Sequence, residues 1–410
     1  VNSQPLFQID EHEQFSAHGF SMMAFHNTYY EGRRGAVEMI LHGTRIASNG
    51  DIRLQPIPIP DRYDVPIPKF NERHVDRKNN KISIHMDYQQ LGFDYQIHIK
   101  GIRDALHITA DIKGEIPDSL YGRLAFMMEL FPGSYKGKSF SMDNTPGIFP
   151  NQFNGPRRYV NGELDAVPIA AGKKLSVAPE DRQLHFTVES RTGELELLDG
   201  RASTNHKWYI IRSLIPKNTD KSIIEWIITP ELDRNWLPEP VVGISQIGYH
   251  SSQRKVSVIE IHKTDTPDSI FLKKVAPDGC TLTVKRALPA LWGRYYAKKY
   301  LQFDFTDVCT DGMYFIEYRG VRTETFPISR DLFAGEFWRP TLETFVPVQM
   351  CHVAVKDRIR LWHGACHLDD ARQAPANTPH FDHYDVIKKI ETGYKQYEHI
   401  PHLNRGGWHD

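Results

Sequence analysis

Period-two alternation is the feature that most restricts this chain. Ile82, Ile84, Met86 and Tyr88 alternate with polar residues. So do Tyr95, Ile97 and Ile99, and then Leu106, Ile108, Ala110 and Ile112. Successive side chains of a strand point to opposite faces, so each run gives one apolar and one polar face. Turn signals cut the runs short, as at Leu91-Gly92 and Asn49-Gly50-Asp51. Short, regularly spaced strands of this kind predict a mainly β chain built from sandwiches or barrels. Gln55 to Phe70 is rich in proline. It predicts a loop, because proline cannot donate to a sheet ladder.

A length of 410 residues calls for more than one domain. Residues 1–236 read as one β-sandwich unit. Leu237-Pro238-Glu239-Pro240 reads as a stiff linker. Residues 237–330 then carry short alternating strands, such as Lys255 to Ile261, Tyr300 to Phe305 and Met313 to Tyr318. That pattern fits a small immunoglobulin-like sandwich. From Asp331 the period changes. Leu342, Phe345, Val346, Met350 and Val353 fall on one helix face, with Pro340 suited to the first turn and Pro347 expected to kink or end it. After Val355 the pattern predicts loops, with a short helix possible between Tyr384 and Ile400 and interrupted by Gly393.

The bulk numbers exclude some functions. Net charge is −1 with a pI near 7.1, which gives no electrostatic footprint for nucleic acid or an anionic membrane. No run of 18 apolar residues is present, so no membrane-spanning helix is expected. The chain begins Val-Asn-Ser-Gln, without a signal-peptide pattern, and reads as one whose address has been removed or was never present. Four cysteines are too few for a disulfide framework. Cys280 and Cys309 could pair, but free and mostly buried thiols fit the composition better.

Two stretches of the first unit concentrate charge and glycine. One is Tyr30 to Gly35 with Gly43-Thr44-Arg45. The other is Arg123, Glu129, Lys136, Lys138 and Asp143. Either a sugar-binding or remnant catalytic face, or ordinary turn chemistry, accounts for them.

The densest set of metal-ligating residues lies near the end. Cys351, Cys366, His367 and His409 supply two thiolates and two imidazoles, a complement that suits tetrahedral zinc. The alternative is two core thiols and hydrogen-bonded histidines. His352, His363, His380 and His383 compete but bring no thiolate. Asp410 follows His409 on a Gly406-Gly407 turn, beside the acidic pair Asp369-Asp370. A general base needs a fixed carboxylate within reach of water, and a lone Asp does not establish one.

These stretches resemble a known family. Gly406-Gly407-Trp408-His409-Asp410 resembles the start of the G-G-W-H-D-A-G-D motif of family 9 glycoside hydrolases, the cellulase family with an (α/α)6 barrel. Ala365 to Ala371 resembles its A-C-H-x-x-D-A loop, and Val348 to Cys351 its first barrel helix. Pro240 to Pro327, with Gln246 to His250 and Asp311 to Tyr314, resembles the immunoglobulin-like domain that precedes many such catalytic domains. The first 236 residues resemble an extra β-sandwich found in front of it.

The resemblance implies residues 331–410 as the first helix and loops of an (α/α)6 barrel, an incomplete catalytic domain. It implies an endo-β-1,4-glucanase acting on β-glucan by inversion, with Asp410 as the first of two aspartates that hold the attacking water. It implies a structural Zn2+ on Cys351, Cys366, His367 and His409, and a secreted or periplasmic setting. The second aspartate and the general acid of the family have no counterpart among the 410 residues. Inversion needs two carboxylates set apart to admit water, so the chain is expected to be the front part of an enzyme. A non-catalytic carbohydrate-binding fragment is the alternative. An exo-acting β-glucosidase or glucosaminidase of the same family is another.

Overall fold

The computed structural model describes residues 4–29, 32–55, 66, 68–202, 208–217, 223–334, 338–345, 354–356, 360–362, 371–373, 380–382, 385–387 and 393–403. At 26–29, 32–36, 163, 343, 354–356, 360–362, 380–382 and 385–387 it describes the backbone alone. The chain is mainly β. It divides into a unit Val1–Leu237 and a unit Pro238–Asp410.

In the first unit the described strands begin with β1 (Gln8–Ile9), β2 (Phe15–Ala17), β3 (Phe20–Tyr29), β4 (Gly32–Leu41) and β5 (Thr44–Leu54). Then come β6 (Lys69–Asp76), β7 (Lys81–Tyr88), β8 (Phe93–Ile102), β9 (Ala105–Gly114) and β10 (Leu124–Leu130). A helical turn, α1 (Pro132–Tyr135), leads to β11 (Ser139–Met142), β12 (Thr145–Ile148), β13 (Arg157–Val160), β14 (Glu163–Ala166) and β15 (Pro168–Gly172). The last are β16 (Lys174–Val177), β17 (Phe186–Ser190), β18 (Leu195–Asp199), β19 (Tyr209–Leu214) and β20 (Ile224–Pro230). They form two large antiparallel sheets, ordered β1-β2-β3-β4-β5-β10-β19-β18-β15 and β12-β11-β16-β17-β20-β9-β8-β7-β6, plus the hairpin β13-β14.

The alternation seen in the sequence sets the core. Strand β7 buries Ile82, Ile84, Met86 and Tyr88, and β8 buries Phe93, Tyr95, Ile97 and Ile99. From the other sheet Met22, Val37, Met39, Ile52, Phe126 and Ile211 join the same cluster. Trp226 of β20 crosses the interior. Its ring meets Phe126 edge-on at 4.9 Å, and its Nε1 donates to Ser213 Oγ at 3.0 Å. An indole is rarely buried without such an acceptor. The expected loop over Gln55–Phe70 ends earlier than predicted, since Lys69 and Phe70 already belong to β6; 56–65 lie outside the described residues.

The second unit holds a smaller sandwich. One sheet runs β21 (Val241–Gly243), β23 (Val256–His262), β27 (Lys298–Asp304) and β26 (Ala290–Tyr295). The other contains β22 (Tyr249–His250), β24 (Ile270–Val275), β25 (Thr281–Ala287), β28 (Gly312–Tyr318), β29 (Val321–Arg322) and β30 (Phe326–Ser329). Ile259, Ile261, Leu272, Leu301, Phe303, Ile316 and Phe326 fill the space between them.

Three expectations need correction here, the first being the turn at Asn49-Gly50-Asp51, which lies inside the continuous strand β5. Cys280 and Cys309 are free but exposed, not buried. Both sit at turns, Cys280 before β25 and Cys309 after β27, where alternation does not aim a side chain inward. The helix α2 (Trp338–Phe345) does form and contains Pro340, but Leu342 and Phe345 are exposed. Beyond the predicted helical face, Ala354–Lys356 is a strand paired with Arg360–Trp362. Val346, Met350 and Val353 lie outside the described residues. Near Tyr384, Asp385–Ile387 pairs with His380–Asp382, and 388–392, where the short helix was possible, lie outside the described residues.

Candidate functional site

The residues singled out for chemistry fall beyond the described structure. Cys351, Cys366, His367, His409 and Asp410 all lie outside the described residues, as do His352, His363, His383, Asp369 and Asp370. Among the described residues no group of three or more His, Cys, Asp or Glu is placed to hold a metal. No helix among them is long and apolar enough to cross a membrane.

What the structure does assemble is a polar network on the first sheet of the first unit, on the face turned away from the inter-sheet core. Strand β10 shows why that face exists. Leu124, Phe126, Met128 and Leu130 point into the main core. Ala125 and Met127 point the other way, into a second small cluster with Leu198 and Ile210. Ala166 of β14 and Ala202 of a 3-10 turn (Gly200–Ala202) close over this cluster. Glu129 continues the outward series at the end of the strand.

A bulge arranges its partners. Between β5 and β10 the register moves from Met127↔Asp51 to Glu129↔Ser48, so β5 carries one extra residue. Asn49 lies within it at a φ of 53°, a left-handed conformation that asparagine tolerates better than most residues. Gly50 follows, and a Cβ there would sit 2.6 Å from Val37 Cβ. Bulges re-aim side chains beside functional surfaces. Here the bulge turns Asn49 onto Glu129, with Nδ2 donating at 2.6 Å to one carboxylate oxygen. Arg53 Nη1 donates to the other at 2.7 Å, while its Nη2 donates to the Asn49 carbonyl at 2.7 Å. Arg53 is buried, and its Nε has no hydrogen-bond partner.

A second carboxylate lies on the neighbouring strand. Ser48 Oγ donates to buried Glu38 at 2.7 Å. The half-exposed Arg45 approaches the same carboxylate at 3.6 Å and lays its guanidinium 4.6 Å over the Phe131 ring. Phe131 in turn meets Trp208 at 5.2 Å. The β10–β19 register ends at Leu130↔Tyr209, so Phe131 and Trp208 follow as the next cross-strand pair, on the same face as Glu129.

A third group occupies the opposite end of the strands. Arg212 donates to Glu196 at 2.7 Å and also to the Gln55 side chain. Gln55 donates to buried Asp165 at 2.7 Å, and Arg158 donates to the same carboxylate at 2.9 Å. Arg123 donates to the Gln55 carbonyl at 3.1 Å, and burial lowers its pKa from the usual arginine value. Among the described residues, Glu38, Glu129, Asp165 and Glu196 of this face each have a guanidinium beside them. Such a surface is a fixed set of hydrogen-bonding groups rather than an acid–base pair.

The two sequence concentrations of charge are only partly brought together. Arg45 and Glu129 reach this face, and Arg123 its far end. Lys138 instead pairs with Asp181 at 2.7 Å, and Asp143 accepts from the backbone N–H groups of Lys173 and Lys174 at 2.8 Å each. These two serve loops elsewhere. Tyr30 and Glu31 lie outside the described residues, and the side chains of Arg33 and Arg34 are not described. Sequence reasoning read Asn49-Gly50-Asp51 as a turn where the structure has a bulge within β5, and it missed Glu38 and Arg53. The only signal for them was polar residues at strand positions whose neighbours are buried.

No protein-family profile matches the sequence, and no curated protein matches it. Among solved structures, the chain is similar to a metagenome-derived glycoside hydrolase family 9 endoglucanase. The identity is 19%, with 42% of this chain and 29% of that one covered and a TM-score of 0.28. It is also similar to a Bacteroides ovatus GH9 structure, at 16% identity over 36% of this chain and 26% of that one, with a TM-score of 0.25. The chain spans less than a third of the length of either structure.

Proposed function

We propose that this chain is part of a family 9 type glycoside hydrolase that cleaves β-1,4-glucan with inversion. The observation that supports the reading is the order of local motifs: Cys351, then Ala365-Cys366-His367-Leu368-Asp369-Asp370-Ala371, then Gly406-Gly407-Trp408-His409-Asp410, all behind a small β-sandwich. In this reading Asp410 orients the attacking water, a role that asks for a carboxylate held on a rigid turn. The donor set Cys351, Cys366, His367 and His409 fits zinc. Two thiolates and two imidazoles fill a tetrahedral site and leave no position for substrate, so the metal holds the loops together. A polysaccharide substrate places the protein outside the cytoplasm, as a secreted or periplasmic enzyme.

The test is hydrolysis of soluble mixed-linkage β-glucan by the whole protein, followed as new reducing ends and as the anomer first released. An α-anomer at first release, lost in Asp410→Asn, supports the reading. A β-anomer at first release, or undiminished release by the variant, overturns it.

A further inference from the structure

We propose that His42 is an acid-released latch on the segment Leu232–Leu237, which carries the chain out of the first unit.

The segment follows β20 and makes a small turn of its own. The Asn235 N–H donates to Asp233 Oδ1 at 2.9 Å, and the Trp236 N–H donates to the Asp233 carbonyl at 3.2 Å. Contacts with two hairpin turns hold it on the sandwich. The Asp233 N–H donates to Nε2 of buried His42 at 3.1 Å. The Trp236 indole packs on the His42 ring at 5.4 Å. It also lies over the turns that precede β3 and β5: a Cβ on Gly19 would sit 3.3 Å from the indole, and one on Gly43 3.5 Å. Under the indole these two turns are joined, the His42 N–H donating to the Gly19 carbonyl at 2.7 Å. His18, on the first turn, donates through Nε2 to the Trp236 carbonyl at 2.6 Å.

The two histidines answer acid in opposite ways. A ring nitrogen that faces a carbonyl must carry a proton, so His18 holds Trp236 in either charge state. A ring nitrogen that faces an N–H must be bare, so His42 holds Asp233 only while it is neutral. Protonation of His42 sets one N–H against another at that contact, and the attraction of the indole for a cation does not repair it. The groups around His42 divide. Asp233 and the backbone of Gln183 and Arg182 favour the imidazolium, His18 opposes it, and burial, the largest influence, keeps the pKa below the ordinary histidine value. The other charges of the β16–β17 connection are engaged: Glu231 takes Arg182 and His185, and Asp181 takes Lys138. A lowered folded pKa means that the latch is whole above the unlatched value, about 6.5, and is lost as pH falls through the latched one. Because the first unit ends at Leu237, release of the segment lengthens the free connection to the second unit.

Hydrogen exchange of the full chain, corrected for the intrinsic rate, tests the latch on peptides covering 232–237. Their protection is expected to fall about tenfold or more between about pH 7.5 and 5, while that of β20 holds, as local opening requires. His42→Asn should remove the fall. His98→Asn, at another histidine that burial shifts down, should keep it. In the parent chain a red shift of tryptophan emission should accompany the fall, and Trp236→Phe should abolish that shift. Constant protection of 232–237 in the parent overturns the proposal. So does an equal fall in β20 or in His42→Asn, or an emission shift that survives Trp236→Phe.

Discussion

Tyr95 donates its phenolic hydrogen bond to the Asp51 carboxylate at 2.7 Å, from one sheet of the first unit to the other, and both residues are fully buried. Nearby Tyr88 reaches across to the Ile52 carbonyl at 3.0 Å. A sandwich held by apolar packing alone can slide. Two phenols anchored to one segment of β5 fix the register between the sheets.

Tyr95→Phe is therefore expected to destabilise the first unit by about 1–3 kcal/mol, because it removes a donor from a buried charge. Chemical denaturation of the two proteins gives the difference. The pH dependence supplies a second readout. Burial, and then the Asp51 charge, raise the Tyr95 pKa well above its ordinary value. A raised folded pKa means the stabilisation is full below the unfolded value, about 10, and is lost as pH rises through the folded one. The parent chain should lose stability above about pH 10, and Tyr95→Phe should lose less. Identical alkaline slopes would contradict this account.

The Arg53–Glu129 pair makes a different prediction, because both side chains are about nine-tenths buried. Removing one partner strands the other charge. Glu129→Ala or Arg53→Ala alone should cost about 3–5 kcal/mol. Replacing both with apolar residues of similar length, as in Arg53→Met with Glu129→Leu, should recover most of that loss. A double-mutant cycle in urea measures it. Additive losses would show that the two residues do not act as a pair.

His42 gives the first unit an acid-sensitive point. It sits at a φ of 48°, accepts from the Asp233 N–H at 3.1 Å through Nε2 and packs on Trp236 at 5.4 Å. Burial lowers its pKa, opposed in part by backbone hydrogen bonds of Gln183 and Arg182 and by the Asp233 charge. A lowered folded pKa means the stabilisation is full above the unfolded value, about 6.5, and is lost as pH falls through the folded one. Melting temperature should drop as pH is taken from about 7 towards 5. His42→Asn, which tolerates the left-handed backbone, should flatten that slope. His98, also shifted down chiefly by burial, should retain a smaller remnant of it. An unchanged slope in the variant would remove His42 from the explanation.

How far the sequence carried the fold follows from where burial is one-sided. Ile82 to Tyr88 and Tyr95 to Ile99 were legible because each strand buries one face and leaves the other polar. Strand β10 was not, since all seven of its residues are buried and a strand covered on both sides shows no period. Glu129 stood out as polar within it, while its partner Arg53 did not and its partner Asn49 was read as a turn. Their meeting depends on a one-residue bulge between strands far apart in sequence. The three-residue strands Ala354–Lys356, Arg360–Trp362, His380–Asp382 and Asp385–Ile387 are too short to print a pattern, and mostly loops were expected there. Cys280 and Cys309 were misjudged because cysteine is often buried on average, whereas turns decided these two.

The zinc assignment yields a prediction with a readout apart from catalysis. Cys351, Cys366, His367 and His409 are spread over 59 positions of sequence, from 351 to 409, so a shared ion would close long loops between them. Closing such loops in the folded state alone makes metal affinity part of folding free energy. Elemental analysis of the purified chain should find one zinc per molecule. Cys351→Ser and Cys366→Ser should each lose it. Chelation should lower the melting transition of the second unit while leaving that of the first unchanged, because the proposed ligands all lie beyond Leu237. Retention of zinc by both serine variants would move the metal to other residues. A folded, unchelated sample without zinc would leave Cys351 and Cys366 as ordinary thiols, and the loop that carries Asp410 without its proposed clamp.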